Sequence, residues 1–286
     1  MNKKVLALTG AACLSVALLA GCGNNGNNNN NDNNSAGGTD GNVTLTGTVA
    51  TGGSTSMQKL MGMLQEDFMS KNDGVTVTYD PTGSGAGITG ASDGSLDIGL
   101  SSRSLHDDET DVEAITVCLD GIAIVVNTEN PVSDLSLEQL ADIYTGKVTN
   151  WKEVGGNDAP IVVIGREAGS GTRDGFETIV DVKDECQYAQ ELTATGAVTA
   201  AVAANANAIG YASLSAVDES VSAVDVNGVA CTEETVKDGS YAVQRPFNFI
   251  VKKDAQLSDA AQAFLTYATD GSANDWILEA GCVPVA

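Results

Sequence analysis

Three short stretches place glycine beside hydroxyl side chains where an extended run gives way to a helical one: Thr51-Gly-Gly-Ser-Thr-Ser56, Thr82-Gly-Ser-Gly-Ala-Gly87 and Gly169-Ser-Gly-Thr-Arg173. A helix start leaves backbone N–H groups unpaired and carries partial positive charge. Glycine lets a ligand approach that backbone, and Ser or Thr adds directional donors. This chemistry suits a small oxyanion. One such turn is an ordinary capped helix; three in one chain, the last preceded by Arg166 with its permanently charged fork, point to a site.

Other chemistries find less support. Gly90-Ala-Ser-Asp-Gly94 matches the pattern of a hydrolase nucleophile elbow, but it falls at the end of a helical run instead of after a buried strand. The single histidine, His106, is the only imidazole base available to it. One histidine also rules out a multi-histidine zinc site. The acidic run Asp107, Asp108, Glu109, Asp111 and Glu113 lacks the glycine and the alternation of a calcium loop and reads as a solvated face. No P-loop sequence is present, and Tyr144 and Trp151 read as packing residues.

The elements that must carry these turns alternate short β-rich runs with helical ones. Strands are predicted at 43–49, 75–79, 122–126, 161–164 and 247–251, and helices at 56–70, 137–144, 172–180, 197–206, 258–268 and 273–280. The alternation argues for α/β architecture on largely parallel sheets. At 286 residues the chain has room for about two domains. Lys and Arg total 14 against 38 Asp and Glu, a net charge of −24, which repels nucleic acid and excludes it as a partner. Exposed charge is screened within about 8 to 10 Å, so close donors inside a cleft can still hold an anion.

Lys3 and Lys4 precede an uncharged apolar run, as an export signal requires. The run ends Leu19-Ala-Gly-Cys22, which resembles the lipobox of bacterial lipoproteins and implies a signal over 1–21 and lipidation of Cys22. Residues 23–42 then hold ten asparagines and one apolar side chain, Ala36, so that 22–42 read as the lipidated cysteine and a flexible tether. The remaining cysteines, Cys118, Cys186, Cys231 and Cys282, permit three full pairings and match no compact zinc motif.

Over 43–286 the sequence resembles the phosphate-binding lipoproteins of ABC phosphate importers, the PstS family, with the type II periplasmic-binding-protein fold. The early Gly-Ser-Thr turn carries this resemblance together with Tyr79-Asp-Pro-Thr-Gly-Ser-Gly85, Asp97-Ile-Gly-Leu-Ser-Ser-Arg103, Asp142-Ile-Tyr-Thr-Gly-Lys-Val-Thr-Asn-Trp151 and Arg166-Glu-Ala-Gly-Ser-Gly-Thr172. It implies two α/β lobes joined by hinge strands, lobe 1 from 43–127 plus 243–286 and lobe 2 from 128–242. It also implies no cofactor or metal, no catalysis, and a monomer on the extracytoplasmic face of the membrane that delivers phosphate to the transmembrane subunits of a permease.

Carried over by motif, the first-turn contact falls on Thr55 with Ser54 and Ser56 beside it, and the second-turn serine on Ser84. The bidentate arginine is Arg166, and the donors of the third turn are Ser170, Gly171 and Thr172. Many family members have an aspartate where this chain has Ser102, a carboxylate that accepts the proton of hydrogen phosphate and repels sulfate. Ser102 can accept through its oxygen, and Arg103 or Arg173 can add charge; the sequence does not choose between them. Sulfate, molybdate or tungstate binding, or an extracellular anion sensor or adhesin, are the alternatives. The lobe division favours Cys118 with Cys282 and Cys186 with Cys231, should the cysteines pair, since neither bridge would cross the cleft.

Overall fold

The computed structural model describes residues 44–285. The predicted signal (1–21), Cys22 and the tether (22–42) lie outside them. The elements in chain order are β1 (Thr46–Gly53), α1 (Gln58–Lys71), β2 (Gly74–Asp80), α2 (Ser84–Asp93), β3 (Ile98–Ser101), β4 (Val112–Asn127), β5 (Asp134–Leu135), α3 (Leu137–Tyr144), β6 (Val162–Arg166), α4 (Gly171–Val180), β7 (Gln190–Leu192), α5 (Thr195–Ala203), β8 (Ala208–Ser213), β9 (Val221–Val226), α6 (Glu233–Lys237), β10 (Gln244–Lys252), α7 (Asp259–Thr269), α8 (Asn274–Glu279) and β11 (Val283–Pro284). Local chemistry explains the clearest of them. In α3, Ser136 accepts from the Gln139 N–H while the Gln139 side chain returns to the Ser136 N–H, and Leu140, Ile143 and Tyr144 form the buried face. In β2, buried Val75 and Val77 alternate with exposed Thr76 and Thr78.

The strands pair in both senses, which corrects the expectation of largely parallel sheets. Parallel pairing holds β1 between β2 and β3, and β6 between β7 and β8. All pairings of β4 and β10 are antiparallel. The physical reason is connectivity: β10 brings the chain back along β4, and a strand that retraces its neighbour must run against it.

β4 is the organising element. Its first part, through Gly121, pairs with β10, and its last part pairs with β8 and β9. The apolar interior divides along it. One core gathers side chains from β1, α1, β2, β3, α7 and α8 with Val117, Cys118, Phe247 and Phe249. The other gathers residues 122–126 of β4 with α3, α4, α5, β8 and β9.

Close backbone approach fixes the second of the three turns. A Cβ at Gly87 would lie 2.7 Å from the Gly52 and Leu100 carbonyl oxygens and 2.8 Å from the Gly53 Cα. Only glycine lets α2 settle this closely on β1 and β3, and that depth sets Ser84, at the start of α2, against Ser102 just beyond β3.

Candidate functional site

The three glycine-hydroxyl turns meet. Ser54 Oγ donates to Ser102 Oγ at 2.8 Å, and Ser84 Oγ lies 3.2 Å from the same oxygen while accepting from the Ser102 N–H at 3.1 Å. From the third turn, Thr172 Oγ1 lies 2.7 Å from Ser56 Oγ. The Gly85 N–H donates to the Gly169 carbonyl at 3.1 Å, so the second and third turns also touch through their backbones. Gly171 faces Ser84 and Ser102 so closely that a Cβ there would collide with both hydroxyls. Ser170 sits beside it as the N-cap of α4, its Oγ accepting from the Arg173 N–H at 3.3 Å. Ser54, Thr55, Ser56, Ser84, Ser102, Arg166, Ser170 and Thr172 are each at most 7 % exposed. Every residue assigned to the site in the sequence therefore lies in one buried cluster.

Arg166 ends β6 at the edge of this cluster, 1 % exposed. Its Nε donates to the Leu192 carbonyl at 2.9 Å, Nη2 to the Thr193 carbonyl at 3.0 Å and Nη1 to Thr195 Oγ1 at 3.2 Å. Burial pulls its pKa below the ordinary arginine value, opposed by the Glu167 carboxylate, whose Oε1 stands 3.4 Å from Nη2. A guanidinium remains protonated even so. The result is a desolvated, oriented cation, which gains by meeting an anion.

The two other arginines considered from the sequence are engaged elsewhere. Arg103 makes a two-point bridge to Glu109 at 2.7 and 2.6 Å. Arg173 pairs with buried Glu177 at 2.8 Å and Glu191 at 3.2 Å, with its guanidinium 4.9 Å from the Tyr188 ring centroid. Arg173 still serves the site indirectly, because its Nη1 donates to the Arg166 carbonyl at 3.0 Å.

The remaining motifs settle into structural places. Ser92 of the elbow-like sequence lies on α2 with its hydroxyl on Asp111, while His106 Nε2 faces Asp174 at 3.3 Å, so the two form no nucleophile and base pair. Asp107, Asp108, Asp111 and Glu113 are exposed. Trp151 and Tyr144 are buried in the second core, Trp151 donating to the Asn207 carbonyl at 2.9 Å. All four described cysteines are free thiols. Cys118 is hydrogen-bonded to Cys282. Cys186 points to the Val182 carbonyl at 3.7 Å, whereas Cys231 packs against Gly121 and Tyr241, so those two have different surroundings. Burial pushes the Cys186 and Cys231 thiols up to about 12, so they stay protonated at neutral pH.

Two features escaped the sequence reading. Thr195 opens α5 and lies 3.1 Å from Thr55 Oγ1 and 3.0 Å from Ser56 Oγ; the string Thr193-Ala-Thr-Gly196 is a fourth hydroxyl and glycine turn and was its available signal. The second is the fully buried pair of Asp120 on β4 with Arg245 on β10, at 3.0 Å. Asp120 also accepts from Ser213 at 2.7 Å, and Arg245 Nη1 donates to the Ser102 carbonyl at 3.4 Å. Burial pushes the Asp120 carboxyl up, with Arg245 and Ser213 pulling it down. Nothing local marks partners so far apart in the chain. A groove of about 470 Å³, lined by Thr55, Ser56, Lys59, Thr195 and Ser215 among others, opens beside the hydroxyl cluster.

Residues 38–272 match the family model of the PBP superfamily domain. Over 99% of its own length and 94% of the other protein, the chain is 32% identical to the phosphate-binding protein PstS of Bacillus subtilis (strain 168). The chain belongs to the PstS family. Its fold matches a crystal structure from Clostridium perfringens, described as a putative phosphate ABC transporter substrate-binding protein with bound phosphate, at TM-score 0.80 and 41% identity, covering 84% of this chain and 100% of that one. An ABC-type phosphate transport receptor from Vibrio cholerae matches at TM-score 0.69 and 34% identity, over 82% of this chain and 99% of that one. The mixed α/β architecture is thus that of type II periplasmic binding proteins.

Proposed function

We propose that this PstS-family chain captures inorganic phosphate outside the cytoplasmic membrane and delivers it to the transmembrane subunits of an ABC importer, with no chemical turnover. Ser54, Thr55, Ser56, Ser84, Ser102, Ser170, Gly171 and Thr172 supply hydrogen bonds, and Arg166 supplies the charge. The lobes are 43–127 with 243–286 and 128–242, swinging about β4 and β10. The body is a monomer tethered by a lipidated Cys22; among the described residues no helix is long and apolar enough to cross a membrane.

The observation that supports this reading is the meeting of three glycine-hydroxyl turns in one buried cluster, which Thr195 joins to the buried Arg166 guanidinium. Neutral donors in a site sheltered from water hold a dianion without any need for net positive protein charge. A second reading, another tetrahedral oxyanion such as sulfate, is favoured by one feature: Ser102 brings no carboxylate into the hydroxyl cluster to accept a ligand proton. Calorimetry on protein beginning at Gly41, with phosphate, sulfate and molybdate in turn, separates them. Phosphate should give the tightest one-site isotherm. Tight sulfate binding with none for phosphate would overturn the assignment.

A further inference from the structure

Thr195 is 3 % exposed and its hydroxyl stands at a junction of the whole cluster. Arg166 Nη1 donates to it at 3.2 Å, Ser56 Oγ lies 3.0 Å away and Thr55 Oγ1 3.1 Å away, and the Thr195 N–H donates to Thr55 Oγ1 at 3.3 Å. The guanidinium has donors and no acceptor, so its bond occupies a lone pair of the threonine oxygen. The threonine proton is then turned away from the cation, toward the hydroxyls of the first turn. A hydroxyl polarised by a neighbouring cation is a strengthened donor.

The chain around Thr195 also fixes the arginine. Leu192 and Thr193 offer their carbonyls to Nε and Nη2, and Thr195 takes Nη1, so one short segment engages all three nitrogens of the fork. Thr55 and Ser56 reach Thr195 from a part of the chain about 140 residues earlier. The contact therefore joins the first turn to the arginine only when the two sides of the cleft meet.

We propose that Thr195 is a further ligand-contacting residue of the anion site, donating its hydroxyl to an oxygen of the bound tetrahedral oxyanion while its own oxygen and the Leu192 and Thr193 carbonyls aim Arg166. This rests on the phosphate reading above. The functional group needed is the hydroxyl. Serine retains it, whereas valine keeps the branched shape and loses it.

The test is phosphate calorimetry on wild type, Thr195→Val, Thr195→Ala and Thr195→Ser, beside thermal melts of each without ligand. A lost hydrogen bond to a charged group corresponds to roughly a 10- to 100-fold weakening. That loss is expected for Thr195→Val and Thr195→Ala, with Thr195→Ser within about 3-fold of wild type and ligand-free melting temperatures little changed. Phosphate binding by Thr195→Val equal to wild type would overturn this inference alone. So would an affinity loss in Thr195→Ser as large as in Thr195→Val, or one that tracks a falling ligand-free melting temperature, since either marks a packing role. A wild type that gives no phosphate heat would overturn the functional reading and this inference with it.

Discussion

Substituting Gly171 with alanine tests the cleft without touching its charge. The added Cβ would lie 2.7 Å from Ser102 Oγ and 3.0 Å from Ser84 Cβ, and closer still to Ser84 Oγ. Serine hydroxyls can rotate away, but Ser84 Cβ is fixed to the first residue of α2 and cannot. Restoring ordinary van der Waals separation needs a displacement of roughly half an ångström or more between the second and third turns. Overpacking of this kind costs about 1 to 3 kcal/mol. On the proposed division into lobes it falls on the closed arrangement, because Gly171 and the two serines then belong to opposite sides of the cleft and need not touch when it opens. Phosphate affinity should thus drop about 5- to 150-fold, while the ligand-free protein melts close to wild type. Isothermal titration with phosphate and a ligand-free thermal melt provide both readings. Affinity within twofold of wild type would refute the reasoning, as would a melting temperature that falls in step with affinity.

Other substitutions probe the charges. Arg166→Met removes the guanidinium that engages Leu192, Thr193 and Thr195; phosphate affinity measured by calorimetry should fall by about 2 to 5 kcal/mol, and Arg166→Lys should not restore it, because an ammonium lacks the planar fork. Asp120→Asn leaves Arg245 buried without its counter-charge, so denaturant melts should show a loss of about 3 to 5 kcal/mol; a loss under 1 kcal/mol contradicts the role given to the pair. Burial alone would raise the Glu109 carboxyl, but hydrogen bonds from Arg103 and the His106 N–H outweigh it and hold the pKa below the ordinary value. Ionised Glu109 accordingly stabilises the fold above the ordinary carboxylate pKa, and that contribution disappears as the pH falls below about 4. The melting-temperature gap between wild type and Glu109→Gln should narrow on acidification, and a gap constant from neutral to acid pH refutes the assignment.

Where the chemistry is local, the sequence was legible. Helix α3 occupies the predicted 137–144 because its cap and apolar spacing lie within a few residues. The three glycine-hydroxyl turns were equally readable as places where a strand gives way to a helix, since glycine and hydroxyls at a helix start define their own donor set. What failed was non-local. β4 was expected over 122–126 and runs over Val112–Asn127, because its first part, with exposed Glu113 and Thr116, does not read as an apolar run. The sense of strand pairing depends on the return of β10, which no window of sequence encodes. The run Ala208–Ser213 has alanines and a glycine that disfavour a strand, yet it is one, buried between β4 and β6. Asp120 and Arg245 are 125 residues apart and become partners only through the ladder of β4 with β10.

The proposed function requires one oxyanion to be held by groups from both sides of the cleft. A crystal structure of protein beginning at Gly41, grown with phosphate, tests it most directly. The expected result is a phosphate whose oxygens lie within hydrogen-bond distance of Arg166 Nη1, Ser84 Oγ and Thr172 Oγ1 together. Phosphate seated elsewhere, or touching residues from one side alone, would contradict it.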